Sequence, residues 1–320
     1  MFPFAPHLAF WQTYYSCKEA GVFSISTGDG KVMGTDGNIR LMDRVKPTGI
    51  IGIPTFLYHI LNQAVQEGKR FETLQSLVLG GEKVPAGMRR KLTYLAQQLG
   101  STDVSVVATY GFTESKMAWG ECPHPLESES GGYHLYPDLG LFEVIDPDSG
   151  EVQLDGQPGE LVFTPLNARG TTVRYRTGDI IDGGLVYDVC PYCKRRMPRL
   201  MGNISRRSDI KEMRLGKIKG TLVDFNELEK ALDDVDHIGA WQIEWRKIND
   251  DPMKLDEIIL HIEPLGTENE EQLLHIVTER FKALTELKPN RVCFHTSAEM
   301  REMHGVGTEL KEKRLMDHRP

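Results

Sequence analysis

The run Val104-Ser105-Val106-Val107-Ala108-Thr109-Tyr110-Gly111-Phe112-Thr113-Glu114 constrains the fold of this chain more than any other stretch. β-Branched residues with few polar interruptions predict a strand buried on both faces, as in a parallel sheet covered by helices. The strand ends in an aromatic ring, a glycine, a hydroxyl and a carboxylate. Open α/β sheets place their ligands at that end of a strand. There Tyr110 offers a flat face to a base, Gly111 lets a backbone approach closely, and Thr113 supplies a hydroxyl. Glu114 supplies the hard oxygen that magnesium prefers. The same residues also fit a strand leaving through an ordinary polar loop, so the neighbouring segments have to decide.

Those segments alternate. Leu8 to Gly21 fits a helix, and Val22–Ser26 a short strand. Gly28-Asp29-Gly30-Lys31 lacks phosphate-loop spacing and has no hydroxyl after its lysine, so it reads as a plain turn. Ile50–Ile53 predicts a buried strand, with Thr55 capping the helix that follows. Ser76–Leu79 predicts another, leaving through Gly80-Gly81-Glu82. Pro85 then opens a helix with Met88, Leu92, Leu95 and Leu99 on one stripe. Strand and helix in turn predict an α/β class, a parallel sheet flanked by helices, over residues 1–115.

Beyond Glu114 short strands at Leu141–Ile145, Glu160–Thr164 and Leu185–Tyr187, parted by Pro, Gly and Asp, predict a small antiparallel β subdomain over about 120–206. Residues 207–320 read as a separate, smaller α+β lobe. A hairpin around Gly216 precedes a helix with Asp224 and Glu227 as its capping box. Strands follow at Ile238–Trp245 and Glu257–Ile262. Thr267 and Glu270 form a second capping box for a helix that buries Leu273, Val277, Phe281 and Leu284. A strand at Arg291–His295 completes a ferredoxin-like β-α-β-β-α-β order.

In 320 residues, a net charge of −8 argues against sequence-independent nucleic-acid binding, which would need a basic face. No apolar run reaches the length of a membrane span, and the first residues are no signal peptide. A cytoplasmic protein is expected. Its five cysteines, Cys17, Cys122, Cys190, Cys193 and Cys293, are an odd number, which disfavours a fully paired disulfide framework.

Five short segments occur in a fixed order: Leu79-Gly80-Gly81-Glu82, Tyr110-Gly111-Phe112-Thr113-Glu114, Tyr175-Arg176-Thr177-Gly178-Asp179, Arg207-Ser208-Asp209 and Thr308-Glu309-Leu310-Lys311-Glu312-Lys313-Arg314. Each alone is weak. Together they resemble the adenylate-forming superfamily, most closely its phenylacetate–CoA ligase branch. The resemblance implies an acid that attacks the α-phosphate of ATP, and a thiol, CoA, that then displaces AMP. Fixed cations and donors would carry much of that catalysis. It implies that Glu114 holds magnesium, Thr113 bonds phosphate and Tyr110 stacks on adenine. Gly80, Gly81, Glu82 and Gly111 would line the nucleotide pocket. Asp179 would accept from the ribose hydroxyls, reinforced by Arg207. Lys311 would neutralise charge at the reacting phosphate, although Leu310 stands where the family usually has glycine. Asp209 would be the hinge of a mobile C-terminal lobe.

The resemblance also leaves alternatives open. The Ser/Thr/Gly-rich phosphate loop of the family would lie upstream of Met1, so either a fragment or a natural short form is expected. An amide- or ester-forming ligase with another acceptor is a second reading, and a non-catalytic nucleotide- or aryl-binding protein a third. An aryl acid would suit a pocket lined by His7, Phe10, Trp11 and Tyr14, although core packing would use the same rings. The acid's identity and the acceptor stay open, as does assembly, a homodimer included.

A further constellation rests on its own chemistry. Cys190-Pro191-Tyr192-Cys193 is a knuckle-type pair, with Cys122 and His134 upstream. Three thiolates and an imidazole would close a tetrahedral zinc site, with His124 as the other choice of fourth ligand.

Overall fold

The computed structural model describes residues 1–4, 6–28, 30–166, 172–207, 210–213, 221–251, 254–266, 269–285, 287–307 and 312–319. The chain forms two compact units, one of Met1–Val84 with Leu92–Ser208, the other of Pro85–Lys91 with Asp209–Pro320. Among the described residues no helix is long and apolar enough to cross a membrane.

The first unit opens with α1 (Leu8–Glu19), which buries none of its residues. Residues 22–28 follow without strand structure, and Phe23 is 88% exposed. The strand expected at Val22–Ser26 does not form: alternation alone supplies no partner edge. The expected turn at Gly28–Lys31 instead runs into α2 (Gly30–Val45), which is broken at Gly34 (φ 64°) and buries Ile39 and Met42 beyond the break. Next come β1 (Gly49–Gly52), α3 (Pro54–Gln66), β2 (Ser76–Leu79), α4 (Ala86–Gln98, whose residues up to Lys91 count with the second unit), β3 (Ser105–Phe112) and β4 (Met117–Gly120).

These strands pair in the order β1-β2-β3-β4. The first three are parallel, and β4 runs antiparallel to β3 with Trp119 opposite Tyr110. The α/β class expected from the alternation is the class observed. The reason is burial: α3 is buried almost all round, and its Leu57, Ile60, Leu61 and Ala64 are inaccessible to solvent, as are Leu77 and Leu79. Met88, Leu92, Leu95 and Leu99 are all buried, as their stripe requires. Thr55 is not the cap of α3. That position belongs to Ile53, and Pro54 is the first helical residue.

The remainder of this unit is β-rich: β5 (Tyr133–His134), β6 (Gly140–Ile145), β7 (Gly159–Pro165), β8 (Tyr175–Ile181), β9 (Leu185–Val186), β10 (Arg199–Leu200) and β11 (Ile204–Arg206). One sheet has the order β11-β8-β7-β6 and another β5-β10-β9, antiparallel throughout. Trp119, Leu135, Phe142, Val144, Leu161, Phe163 and Ile181 form the core beneath them. Tyr110 and Phe112, at the end of β3, pack against that core.

In the second unit β12 (Ile210–Met213) and β13 (Thr221–Asp224) pair as a hairpin. They are followed by α5 (Phe225–Asp233), β14 (Ile238–Lys247), β15 (Asp256–Pro264), α6 (Glu270–Thr285), β16 (Arg291–Phe294), α7 (Ser297–His304) and β17 (Leu315–Asp317). The sheet order is β16-β15-β14-β17. Its fourth strand therefore comes from the end of the chain, parallel to β14, while the hairpin ahead of α5 stays separate. Leu273, Val277 and Phe281 of α6 are buried as expected, with Trp241 and Trp245 of β14 in the same core. Thr267, Gly216 and the side chains of Asp224, Glu227 and Leu284 lie outside the described residues.

Candidate functional site

Three segments of the first unit converge. Leu79 at the end of β2 is in register with Ala108 of β3. A Cβ on Gly80 would collide with the Thr109 hydroxyl, which donates to the Leu79 carbonyl at 2.9 Å. Glycine is needed there because two strand ends approach closely. Gly81 adopts φ +87°, a second reason for glycine. Glu82 turns back to α3: its carboxylate accepts from the Thr55 hydroxyl at 2.7 Å, placing an anion at a helix N-terminus.

The second segment is the end of β3. Tyr110 donates its hydroxyl to Asp179 Oδ2 at 2.7 Å, and Asp179 is only 4% exposed. Burial and then the Asp179 charge raise the Tyr110 phenol far above its ordinary range, so it remains a donor at every pH the protein meets. Its ring is flanked by Phe112, Trp119 and Tyr133, with centroids 5.9–6.0 Å away. Gly111 is exposed, and a Cβ there would come 2.7 Å from the Met117 carbonyl on β4. The space it leaves is used by a neighbouring strand. Thr113 and Glu114 follow in a single exposed turn.

The third segment is β8. Gly178 has φ +74° and sits where the β7–β8 register slips. Glu160, buried opposite, accepts from the Gly178 N–H at 3.2 Å and from Arg176 Nε at 3.0 Å. The Thr177 hydroxyl donates to the Leu161 carbonyl and accepts from the Asp179 N–H at 3.1 Å, which locks the turn carrying Asp179. Tyr175 hydrogen-bonds Glu114; burial and that bond raise its phenol. Tyr175 thus interacts with both carboxylates singled out in the sequence, with Glu114 by a hydrogen bond and with Asp179 through its charge.

The guanidinium on Asp179 is not the expected one. Arg206 Nε meets Asp179 Oδ1 at 3.1 Å, whereas Arg207 turns away to Asp148 at 2.7 Å and to the Pro147 carbonyl. Strand register decides this, because Arg206 pairs directly with Asp179 across β11 and β8. Arg206 is largely in water, so the pair contributes little stability of its own.

The rings proposed for an acyl pocket are arranged differently. Phe10 packs on Phe4, Trp11 and Tyr14, but α1 buries none of them, and Trp11 and Tyr14 are about two-fifths exposed. His7 sits just ahead of α1, half-buried. The ring beside Gly80 and Gly81 is that of Phe2, which is buried. Phe2, Trp119, Tyr133, Tyr175 and Arg206 were not predicted as site residues. Only Tyr175 carried a signal, its even spacing from Asp179 on one strand. Lys311 and Asp209 lie outside the described residues.

The Cys/His constellation also converges. The ligating atoms of Cys122, His134, Cys190 and Cys193 all lie within 4.8 Å of one another. Burial and then the neighbouring thiols push the Cys122 thiol up to about 12. Burial and then Arg199 and Arg195 lower His134, which keeps its imidazole neutral near pH 7. His124 is not in that group; its Nδ1 lies 3.0 Å from the Cys122 carbonyl.

A family model for AMP-binding enzymes matches residues 3–170, more than half of the chain. The chain belongs to the AMP-binding enzyme family. Within that adenylate-forming superfamily it groups with the phenylacetate–CoA ligase-like branch. The phenylacetate–coenzyme A ligases of Aromatoleum evansii and Pseudomonas putida are 30% identical over 203 residues, which is 61% of this chain and 41% of each of those proteins. That of Escherichia coli K12 is 25% identical over 306 residues, 93% of this chain and 60% of that one. The chain therefore spans about 40–60% of the length of these relatives. Among solved structures, a 2-hydroxyisobutyryl-CoA ligase in complex with 2-HIB-AMP gives a TM-score of 0.76 at 20% identity, over 99% of this chain and 64% of that one. An anthranilate CoA ligase with anthranoyl-AMP gives 0.51 at 15%, over 86% and 51%. At such identities the likeness is one of fold.

Proposed function

We propose that this AMP-binding family member is an ATP-dependent acid–thiol ligase. A carboxylate is joined to the α-phosphate of ATP with loss of pyrophosphate, and the acyl group then passes to the thiol of CoA with loss of AMP. The observation that carries the reading is the meeting of Tyr110, Asp179, Arg206, Tyr175 and Glu114 in one unit. Buried and oriented by the Tyr110 hydroxyl, Asp179 is positioned to accept from a ribose diol. The end of β3 presents its backbone, the Thr113 hydroxyl and the Glu114 carboxylate to the phosphates. Glu114 suits magnesium, a hard cation commonly held by one carboxylate together with phosphate oxygens; when bound it supplies neutralisation of the phosphate charge. Lys311 is assigned to the adenylation step, and Asp209 to the hinge between the two half-reactions.

An aryl acid of the phenylacetate type is the proposed substrate. The support is the naming of the relatives as phenylacetate–CoA ligases and the aromatic side chain of Phe2 against Gly80 and Gly81. The test is acid-dependent ATP–pyrophosphate exchange with a panel of aryl acids, followed by AMP release on adding CoA. Exchange that needs magnesium and an aryl acid, with CoA-dependent AMP release, is the expected result. Background exchange while AMP still binds would leave a nucleotide-binding protein. AMP release that needs an amine in place of CoA would make it an amide ligase.

A further inference from the structure

Three thiol sulfurs and one imidazole nitrogen meet just past the end of β4, on β5, and in the loop between β9 and β10. Cys122 Sγ lies 3.2 Å from His134 Nε2 and 4.0 Å from Cys190 Sγ, and Cys193 Sγ lies 3.9 Å from the same imidazole nitrogen. A tetrahedron built on Zn–S of about 2.3 Å and Zn–N of about 2.0–2.1 Å has edges of about 3.6–3.8 Å. The observed edges bracket those values.

The backbone around the thiols is shaped to hold them. The Cys190 N–H donates to the Arg195 carbonyl at 3.0 Å, and the Lys194 N–H donates to the Cys190 carbonyl at 3.1 Å. Lys194 takes the left-handed conformation (φ 60°) that turns the knuckle back on itself. A Cβ on Gly131 would approach Cys190 Sγ to 3.2 Å and the Tyr192 ring to 3.0 Å, so the adjoining loop is cut to fit. The Tyr192 hydroxyl fastens the knuckle to the Glu129 carbonyl at 2.6 Å. Behind the cluster, buried Arg199 bonds the Gly131 carbonyl and Asp188, fixing the strand beside His134.

We propose that Cys122, His134, Cys190 and Cys193 bind one zinc ion as a closed structural site. All four positions are filled by protein, which leaves none for a substrate or an activated water. The ion joins segments far apart in the chain. His134 sits next to Tyr133, whose ring packs on Tyr110, and Cys122 follows Glu121, whose carboxylate accepts from the Ala108 N–H at 2.7 Å. Zinc in this position holds the strands that flank Tyr110. The inference does not depend on the ligase reading and survives its failure.

The test is the metal content of full-length protein purified without chelators or metal-affinity resin. About one zinc per chain is expected, together with cobalt exchange giving the visible bands and thiolate charge-transfer of a tetrahedral sulfur-rich site. Cys190→Ser and Cys193→Ser should each lose the metal, while Cys17→Ser and Cys293→Ser should keep it. Should the cluster variants fail to fold, release of one zinc from the wild type by a mercurial, in step with titration of three thiols, gives the same answer. Zinc well under one equivalent, or cobalt bound without tetrahedral thiolate bands, overturns the proposal, as does retention of zinc by folded Cys190→Ser.

Discussion

Removing one oxygen, in Tyr110→Phe, isolates the contact on which the proposed nucleotide site is built. The phenol donates to Asp179 Oδ2 at 2.7 Å, the length of a charge-assisted bond, and the acceptor is 4% exposed. Arg206 engages the other oxygen and is 65% exposed, so it cannot replace the lost donor. A hydrogen bond to a charged group contributes about 1.5–3 kcal/mol, and that is the expected loss of stability. For a unit of this size each kcal/mol lowers the melting temperature by about 2–4 °C, so a drop of roughly 3–12 °C follows. Because the ring remains, AMP affinity should fall less than about tenfold, whereas Asp179→Ala should cost more than that. The assay is a urea-unfolding cycle of Tyr110→Phe, Asp179→Asn and the double variant, with AMP titrations alongside. A coupling of at least about 1 kcal/mol is expected. Additive effects, within about 0.5 kcal/mol, would show that the hydroxyl and the carboxylate do not act together and would falsify the site as described.

Three further outcomes are expected. Glu114→Gln should abolish magnesium-dependent pyrophosphate exchange and leave AMP binding within a few-fold of wild type; wild-type exchange in that variant removes the magnesium role. Arg314 stacks 3.5 Å over Trp241 and bonds the buried Asp233 at 2.6 Å, and Asp233 also accepts from the Trp241 indole at 2.9 Å. Arg314→Ala leaves that carboxylate with the Trp241 indole N–H and the Lys91 charge, and should cost about 1.5–3 kcal/mol, with partial recovery in Arg314→Lys; a loss below about 0.5 kcal/mol in chemical denaturation contradicts this. His261 Nδ1 lies 2.9 Å from His295 Nε2, so one ring must donate and the other accept, and both cannot be charged. Burial lowers His261 from its ordinary 6.5, aided by the His295 and Arg291 charges and opposed by Glu244. The unfolded chain then takes up the proton first, and stability should fall as pH drops from about 7 towards 5. His261→Gln should flatten that slope, and an unchanged profile sinks the account.

How far these features could be read from residues alone depends on whether parity or pairing decides them. The strand ending at Glu114 was legible because β-branched residues run unbroken to a glycine, and the stripe Met88, Leu92, Leu95, Leu99 because its period is helical. The helix over Gly30–Val45 was not, since Gly30, Gly34 and Gly37 look like turn residues and only its second half is buried. Val22–Ser26 carried strand residues but no partner. Choosing Arg207 over Arg206 was a one-residue error of register, and register belongs to the partner strand. The cysteine pair announced itself by spacing, yet the choice between His124 and His134 needed the β5–β10 pairing.

The placement of β17 has a practical corollary. Leu315–Asp317 covers Ile243–Trp245 at the border of the second sheet, and Arg319 lies 3.5 Å over the Trp245 ring. Trimming the last six residues would take away the His318 N–H that the Trp245 carbonyl accepts from at 2.8 Å, and with it the cover of a strand that carries two buried tryptophans. An uncovered border of that kind recruits strands from other molecules. Shortened preparations should therefore precipitate or self-associate even if their nucleotide chemistry is intact, and loss of activity on trimming would report colloidal failure before it reported anything about catalysis.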